Sequence, residues 1–315
     1  MQLLPLQEVW MFNLPKLGIV LNPTAGRGRA LNIEIPLIEY LRLHNIVFQL
    51  EKTTAPLHAT DLSSQLSKIF DIVIAIGGDG TVNEVAAGLI GSTASLAIFP
   101  IGSGNDFNRI IGIPKKMDLA IDAIISGRKK SIDLGRSTII NSNGVTQVKY
   151  FINTLGIGID AEIANEIKRI KYLRGLPLYL LAAIKVLSRY SPNKYTIFDG
   201  ETTCEENVYL LCAGNGIYEG GGFKMLPDAN PSDSKLKICL IRKMSAWNAL
   251  PLVPKIINGT HGNHKMVSLM DSKILNVSSL QPFIIHGDGE IFEDKATKVT
   301  IDLIPNAISI IIPKE

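Results

Sequence analysis

Cysteine, aromatic residues and charge are all sparse in this chain of 315 residues. The three cysteines, Cys204, Cys212 and Cys239, are odd in number, scattered and never spaced as CxxC. Neither a disulfide framework nor a thiolate metal site is implied, and a reducing cytosol is the natural setting. Charged residues make up 19% and the formal net charge is +3, which argues against the strongly basic face of a dedicated nucleic-acid binder. No apolar run reaches the roughly 18 residues that a membrane-spanning helix needs. The opening MQLLPLQEVWMFNLPKLG is apolar, but it lacks a basic start and is broken by Pro5, Glu8, Asn13 and Pro15, so it does not read as a signal peptide. Also missing are GxxxxGK[ST], which rules out a P-loop, any internal repeat and any low-complexity tract.

What is present is apolar bulk: 46% of the residues are hydrophobic, enough for a sizeable core, and the length suggests two domains. The first part alternates strand and helix signals. LGIVLNPTAGRG, IVFQLEKT, DIVIAI and SLAIFPIGSGNDFNRI read as strands, with IPLIEYLRLH, DLSSQLSKIF and TVNEVAAGLI as helices between them. That alternation implies a doubly wound parallel sheet, in which ligands bind at the carboxyl ends of the strands. After about Asp133 short antiparallel strands dominate, with one helical region between Asp160 and Tyr190, and KVTIDLIPNAISIIIP is expected to close the chain as two short strands.

Three polar glycine loops fall at strand ends: Asn22 to Gly28, Gly77 to Thr81, and Gly102 to Asp106. Glycine lets backbone N–H groups approach a phosphate, and a helix start just beyond adds its positive end. Asp79 then stands where it could orient a magnesium ion, and Thr81 either caps the helix or touches a phosphate. Gly-Gly-Asp-Gly suits a tight strand-to-helix turn equally well, with Asp79 a loop carboxylate of little weight in the fold. Three such loops on one sheet edge favour a nucleotide site.

Other patterns carry less. GIGIDA (Gly156 to Ala161) matches a dinucleotide fingerprint but lacks the acidic residue expected about 20 positions on. His261 and His264 in HGNH resemble a metal pair without a third ligand, and a surface turn is the safer reading. The basic cluster Lys168, Arg169, Lys171 and Arg174 beside an apolar run allows a membrane-facing helix, although a solvated face on a helix covering the β domain is favoured.

Taken in order, NPTAGRG, GGDGTVNE, PIGSGNDFNR, IDLG, FINTLGIGIDAEI, GGGFKMLPDA and HGDGE resemble the diacylglycerol kinase-like lipid kinases, from about Lys16 onward. The resemblance implies an α/β nucleotide-binding domain (1–135), a larger β-rich, sandwich-like domain (136–300), and C-terminal strands (301–315) that return to the first. It implies ATP and Mg2+ as cofactors, with nucleotide contacts at Asn22, Thr24, Ala25, Gly26, Arg27, Gly28, Thr53, Gly77, Gly78, Asp79, Gly80, Thr81, Val82 and Ser103. Glu290 becomes the catalytic base, since phosphoryl transfer to an alcohol needs a carboxylate within reach of the hydroxyl. Without the resemblance, Asp288-Gly289-Glu290 would read as a hairpin turn. Asp106 and Asp133 become supporting carboxylates. A structural magnesium falls on Asp233 with the carbonyls of Asn230 and Lys235, although Ser234 stands where relatives carry glycine. The expected partner is a lipid substrate at a membrane surface, met by a cytoplasmic, peripherally binding enzyme that binds no nucleic acid; a homodimer is left open. The alternatives are an NAD kinase and an idle lipid- or nucleotide-binding protein.

Overall fold

The computed structural model describes residues 14–314 apart from 168, 171, 174, 175, 188, 245 and 250. Most of the opening apolar stretch, and Lys168, Lys171 and Arg174 of the basic cluster, therefore lie outside the described residues. In the first half, β1 (Leu17–Leu21), β2 (Phe48–Lys52), β3 (Ile72–Gly77) and β4 (Ser95–Pro100) alternate with α1 (Leu31–Leu43), α2 (His58–Leu66) and α3 (Asp79–Gly88). All four strands are parallel, in the order β2-β1-β3-β4. β1, β3 and β4 are buried at every residue, as the inner strands of a sheet covered on both faces must be, which is why they read as unbroken apolar runs. α4 (Asp106–Ile111) and α5 (Met117–Ser126) complete this layer.

The rest is β-rich: β5 (Arg128–Asn141), β6 (Thr146–Phe151), β7 (Thr154–Gly158), β8 (Lys194–Phe198), β9 (Thr203–Gly214), β10 (Leu236–Arg242), β11 (Val267–Ser272), β12 (Ile274–Gly287) and β13 (Glu290–Ile312). α6 (Ile159–Ile167) and α7 (Leu176–Leu187) stand between β7 and β8. The pairings among these strands are antiparallel, and side chains alternate between two apolar clusters. Leu211, Ile157 and Ile285 enter one, whereas Cys212, Met225 and Leu252 belong to the other, on the side that also receives Ile159 of α6.

The close of the chain is not two short strands. β13 is one strand of 23 residues that pairs with β12 and β5 and then, at Ser309–Ile310, runs parallel to β4. The register shifts between Ile304 and Ile308, where Asn306 has φ 50, so Pro305-Asn306 marks an irregularity inside a strand and not a strand end. Through β13 the parallel and antiparallel halves share one sheet.

His261 also departs from expectation. It is fully buried in a 3-10 turn, with Nε2 3.2 Å from the Met225 carbonyl and 3.6 Å from Cys239 Sγ, so it is a core residue and not part of a surface turn. Burial holds its pKa below the usual imidazole range. Among the described residues no group of three His, Cys, Asp or Glu side chains is arranged to hold a metal.

Candidate active site

A cleft of about 1130 Å³ opens at the carboxyl ends of β1, β3 and β4, above the roughly 300–1,000 Å³ common for small-molecule sites. Of the residues singled out in the sequence, Asn22, Thr24, Ala25, Gly26, Thr53, Gly78, Asp79, Gly80, Thr81, Ser103 and Glu290 line it. Arg27, Gly28, Gly77 and Val82 do not. Val82 is buried in the α/β core and its N–H is spent on Gly78 within α3, and Arg27 reaches toward the Leu173 carbonyl.

The glycines let the loops touch one another. A Cβ on Gly102 would stand 2.5 Å from Cα of Gly78, and one on Gly104 would stand 2.8 Å from Asp79 Oδ2. The second and third loops are thus in backbone contact, and Asp79 fastens them. Its Oδ2 accepts the Asn105 N–H at 2.9 Å and its Oδ1 the Asp106 N–H at 2.8 Å, at the start of α4. Asp79 is therefore a structural clasp between loops, contrary to the reading of a loop carboxylate with little weight in the fold. Burial pushes its carboxyl pKa up.

Asn22 joins the first loop to the second. Its side-chain amide donates to Thr81 Oγ1 at 3.0 Å, while its Oδ1 accepts the N–H and the hydroxyl of Thr24. Thr81 thus lies inside α3, whose N-cap position is Gly78, and does not cap the helix.

The turn from β12 to β13 brings in the second half of the molecule. Asp288 (φ 49) and Gly289 (φ 84) form a tight left-handed turn, so HGDGE is the hairpin its sequence suggests. Its placement gives it a second role, because Glu290 is exposed and its Cγ would lie 3.1 Å from a Cβ on Gly80. Asp288 is buried and accepts the N–H groups of Ile152, Asn153 and Thr154 at 2.7 to 3.0 Å, locking the turn onto the start of β7. Burial pushes its carboxyl up to about 7 although those N–H groups pull the other way.

Asp106 accepts the Gly221 N–H and lies 3.4 Å from Arg109; burial first, then the charge of Asp79, raise its pKa. Asp133 is buried outside the cleft, its carboxylate accepting the N–H groups of Ser234 and Asn306. The turn bearing Asn230, Asp233 and Lys235 is docked on β5 through Asp133 and does not line the cleft. Ser234 keeps φ 57, a glycine-like conformation.

Sequence reasoning missed two residues here. Glu84 accepts the Leu57 and Ala59 N–H groups and so holds the start of α2 against the cleft. Lys149, on β6, is the lysine among the described lining residues. Glu84 closes the GGDGTVNE motif, but nothing local reveals its partners at the start of α2, and Lys149 sits in no glycine loop. For a metal, Asp79 offers carboxylate oxygen, with no sulfur or imidazole among the described residues lining the cleft. That suits magnesium, which is held by one or two carboxylates together with substrate phosphates and needs no complete protein cage.

Comparison with known proteins bears on the same two halves. Residues 16–137 match the diacylglycerol kinase catalytic domain, and residues 153–312 match the YegS C-terminal NAD kinase beta sandwich-like domain. Among curated relatives, a diacylglycerol kinase of Mycobacterium tuberculosis (strain H37Rv) is 29% identical over 304 residues, covering 95% of this chain and 96% of the relative. One from Bacillus subtilis (strain 168) is 28% identical over 279 residues, covering 86% and 88%. A crystal structure of a diacylglycerol kinase from Bacillus anthracis (strain Sterne) superposes with a TM-score of 0.70 at 21% identity, covering 95% of this chain and 97% of that one, a likeness of fold.

Proposed function

This chain belongs to the lipid kinases that join a diacylglycerol kinase catalytic domain to a YegS-type C-terminal domain, and from that premise we propose that it transfers the γ-phosphoryl group of ATP to the hydroxyl of diacylglycerol or a related lipid. The observation that carries this reading is the meeting of Glu290 with Gly80, which puts a carboxylate beside the glycine loops at the mouth of one cleft. The three loops cradle the triphosphate through backbone N–H groups and the start of α3. Lys149, another residue lining the cleft, adds positive charge. Glu290 takes the proton of the lipid hydroxyl as its oxygen bonds to the γ-phosphorus. The bond from that phosphorus to the β–γ bridging oxygen breaks, and ADP leaves with that oxygen. Asp79 is the carboxylate that would help hold magnesium, which supplies neutralisation of phosphate charge. Asp233, with the Asn230 and Lys235 carbonyls, would hold a second, structural ion.

The acceptor chains have a matching place. An apolar pocket lined by Ile159, Leu187, Phe223, Met225, Leu252 and Ile256 lies under α6 and α7. It also touches Glu219 and Gly220, and the next residue, Gly221, donates to Asp106 beside the Asp79 clasp. No helix among the described residues is long and apolar enough to cross a membrane. On the lipid-kinase reading, the enzyme collects its substrate at a membrane surface. Incubation with γ-labelled ATP and a lipid panel, with NAD as a control acceptor, should yield label extractable with lipid and dependent on magnesium. Label in NADP, or in no acceptor, would overturn the reading.

A further inference from the structure

Among the described residues lining the apolar pocket, one carries a carboxylate. Glu219 lines it, with only 7% of the residue exposed. Cys212 Sγ donates to Glu219 Oε2 at 3.1 Å, and His286 Nε2 lies 3.3 Å from Oε1. The register explains how a carboxylate fits there. His286 of β12, Gly156 of β7 and Cys212 of β9 form one row across the sheet, and Gly156 contributes no side chain between the imidazole and the thiol. Cys212 belongs to the same apolar cluster as Met225 and Leu252 of the pocket wall, so the carboxylate sits on the pocket face of the sheet.

Two short links tie this group to the reacting end of the cleft. His286 precedes Asp288 by two residues and Glu290 by four. Gly221, two residues after Glu219, donates to Asp106. Gly220, Gly221 and Gly222 all have positive φ (62, 80 and 127), and the Glu219–Phe223 bridge closes the loop they form. A loop that only glycine allows therefore carries the carboxylate in the pocket wall, and the Gly221 N–H ties that same loop to Asp106 beside the Asp79 clasp.

A carboxylate in an apolar wall favours ligands that bring hydrogen-bond donors, and covering it with acceptor-only groups desolvates it without return. The one donor of a diacylglycerol is the hydroxyl that is phosphorylated, and its ester carbonyls only accept. A monoacylglycerol keeps a second hydroxyl beside the first, and a long-chain amino alcohol keeps an ammonium. Building on the lipid-kinase reading above, we propose that Glu219, held by Cys212 and His286, is a specificity-determining residue. It accepts a hydrogen bond from a second donor adjacent to the phosphorylated hydroxyl, and so selects single-chain lipids that carry one.

The test measures kcat/KM with γ-labelled ATP in mixed micelles of a diacylglycerol, a monoacylglycerol or a long-chain amino alcohol at equal mole fraction. The wild-type enzyme should prefer at least one donor-bearing lipid over diacylglycerol by about 10–100-fold, the range of one buried polar group left unmatched. Glu219→Leu should erase that preference with the KM for ATP unchanged. Glu219→Gln, which keeps a neutral acceptor, should preserve a preference for the diol and lose one for the ammonium. Equal or better turnover of diacylglycerol by the wild type overturns this proposal alone, and so does a preference that survives in Glu219→Leu. Because the wild-type ranking decides by itself, an unstable variant does not shelter the idea. Labelling of no lipid at all overturns the kinase reading and this proposal together.

Discussion

Gly80 and Glu290 face each other across the junction of the two halves of the molecule: a Cβ on Gly80 would come within 3.1 Å of Glu290 Cγ. Gly80 lies in the first turn of α3, outside the left-handed region, so alanine is conformationally welcome there. Gly80→Ala should leave the melting temperature unchanged or raise it, since alanine is favoured in helices by up to about 1 kcal/mol. The added methyl group moves the Glu290 carboxylate by a few tenths of an ångström, and kcat should fall about tenfold, given that a 1 Å misplacement costs on the order of a hundredfold. A stable variant with wild-type kcat would show that Glu290 does not act from this position.

Asp79→Asn tests the clasp. Both carboxylate oxygens accept backbone N–H groups from the start of α4, and an asparagine can present only one acceptor and must turn an NH2 toward the other donor. The variant should lose turnover and also roughly 1–3 kcal/mol of stability. Urea unfolding and kcat on the same preparation check both. Lost activity with an unchanged unfolding midpoint would mean that the loops do not depend on Asp79.

Much of this was legible in the sequence, for physical reasons that can be named. β1, β3 and β4 announce themselves because an inner parallel strand is apolar on both faces, and the loops that follow are rich in glycine because they touch. The Asp288–Gly289 turn is likewise a local signal. Contacts made by folding were not legible. Nothing near Asp79 reveals that its partners are 26 and 27 residues away, and HGNH looks polar although His261 ends in the core. β13 was divided in two because Pro305-Asn306 is a strong local break, yet pairing with β5 on both sides carries the strand through it.

Acid stability depends on Glu166 in α6. Arg189 donates to it at 2.8 Å, with Arg169 at 3.6 Å and Lys185 at 3.7 Å. These cations, Arg189 foremost, hold its carboxyl below the usual glutamate range. A folded pKa below the unfolded one means that the folded state releases its proton more readily. The stabilisation is therefore complete above the ordinary glutamate range, about 4.3, and fades as pH falls through and below it. Melting curves from pH 7 downward should show a smaller acid-side loss for Glu166→Gln than for the wild type, the two drawing together as pH falls below the ordinary glutamate range. Parallel curves would exclude this role.

Ser234 holds a left-handed conformation (φ 57) that costs an L-residue roughly 1–2 kcal/mol. Glycine loses part of that gain to its greater freedom when unfolded. Ser234→Gly should therefore stabilise by about 0.5–1 kcal/mol, read as a higher urea midpoint with an unchanged slope. Magnesium should raise the melting temperature of the wild type and of Ser234→Gly alike, and Asp233→Ala should lose that rise if the turn holds an ion. A magnesium response that survives in Asp233→Ala places the ion elsewhere.

Glu290→Gln isolates the proposed base. Glu290 is exposed at the first position of β13, and the buried Asp288 anchors the turn before it. Replacing the carboxylate by an amide of the same shape should leave the melting temperature within a degree or two and the Kd for ATP nearly unchanged, because the proton acceptor serves the lipid hydroxyl. The rate should fall by roughly 10²–10⁴-fold, the range for a positioned acid–base group. The loss should lie in kcat with little change in the KM for lipid, since an interaction with the proton in flight matters in the transition state and not in the ground state. A structural Glu290 predicts the opposite pattern, with a lowered melting temperature and near-normal catalysis per folded molecule. In that case the hairpin turn would be the whole meaning of HGDGE, and proton acceptance would fall to another group in the cleft.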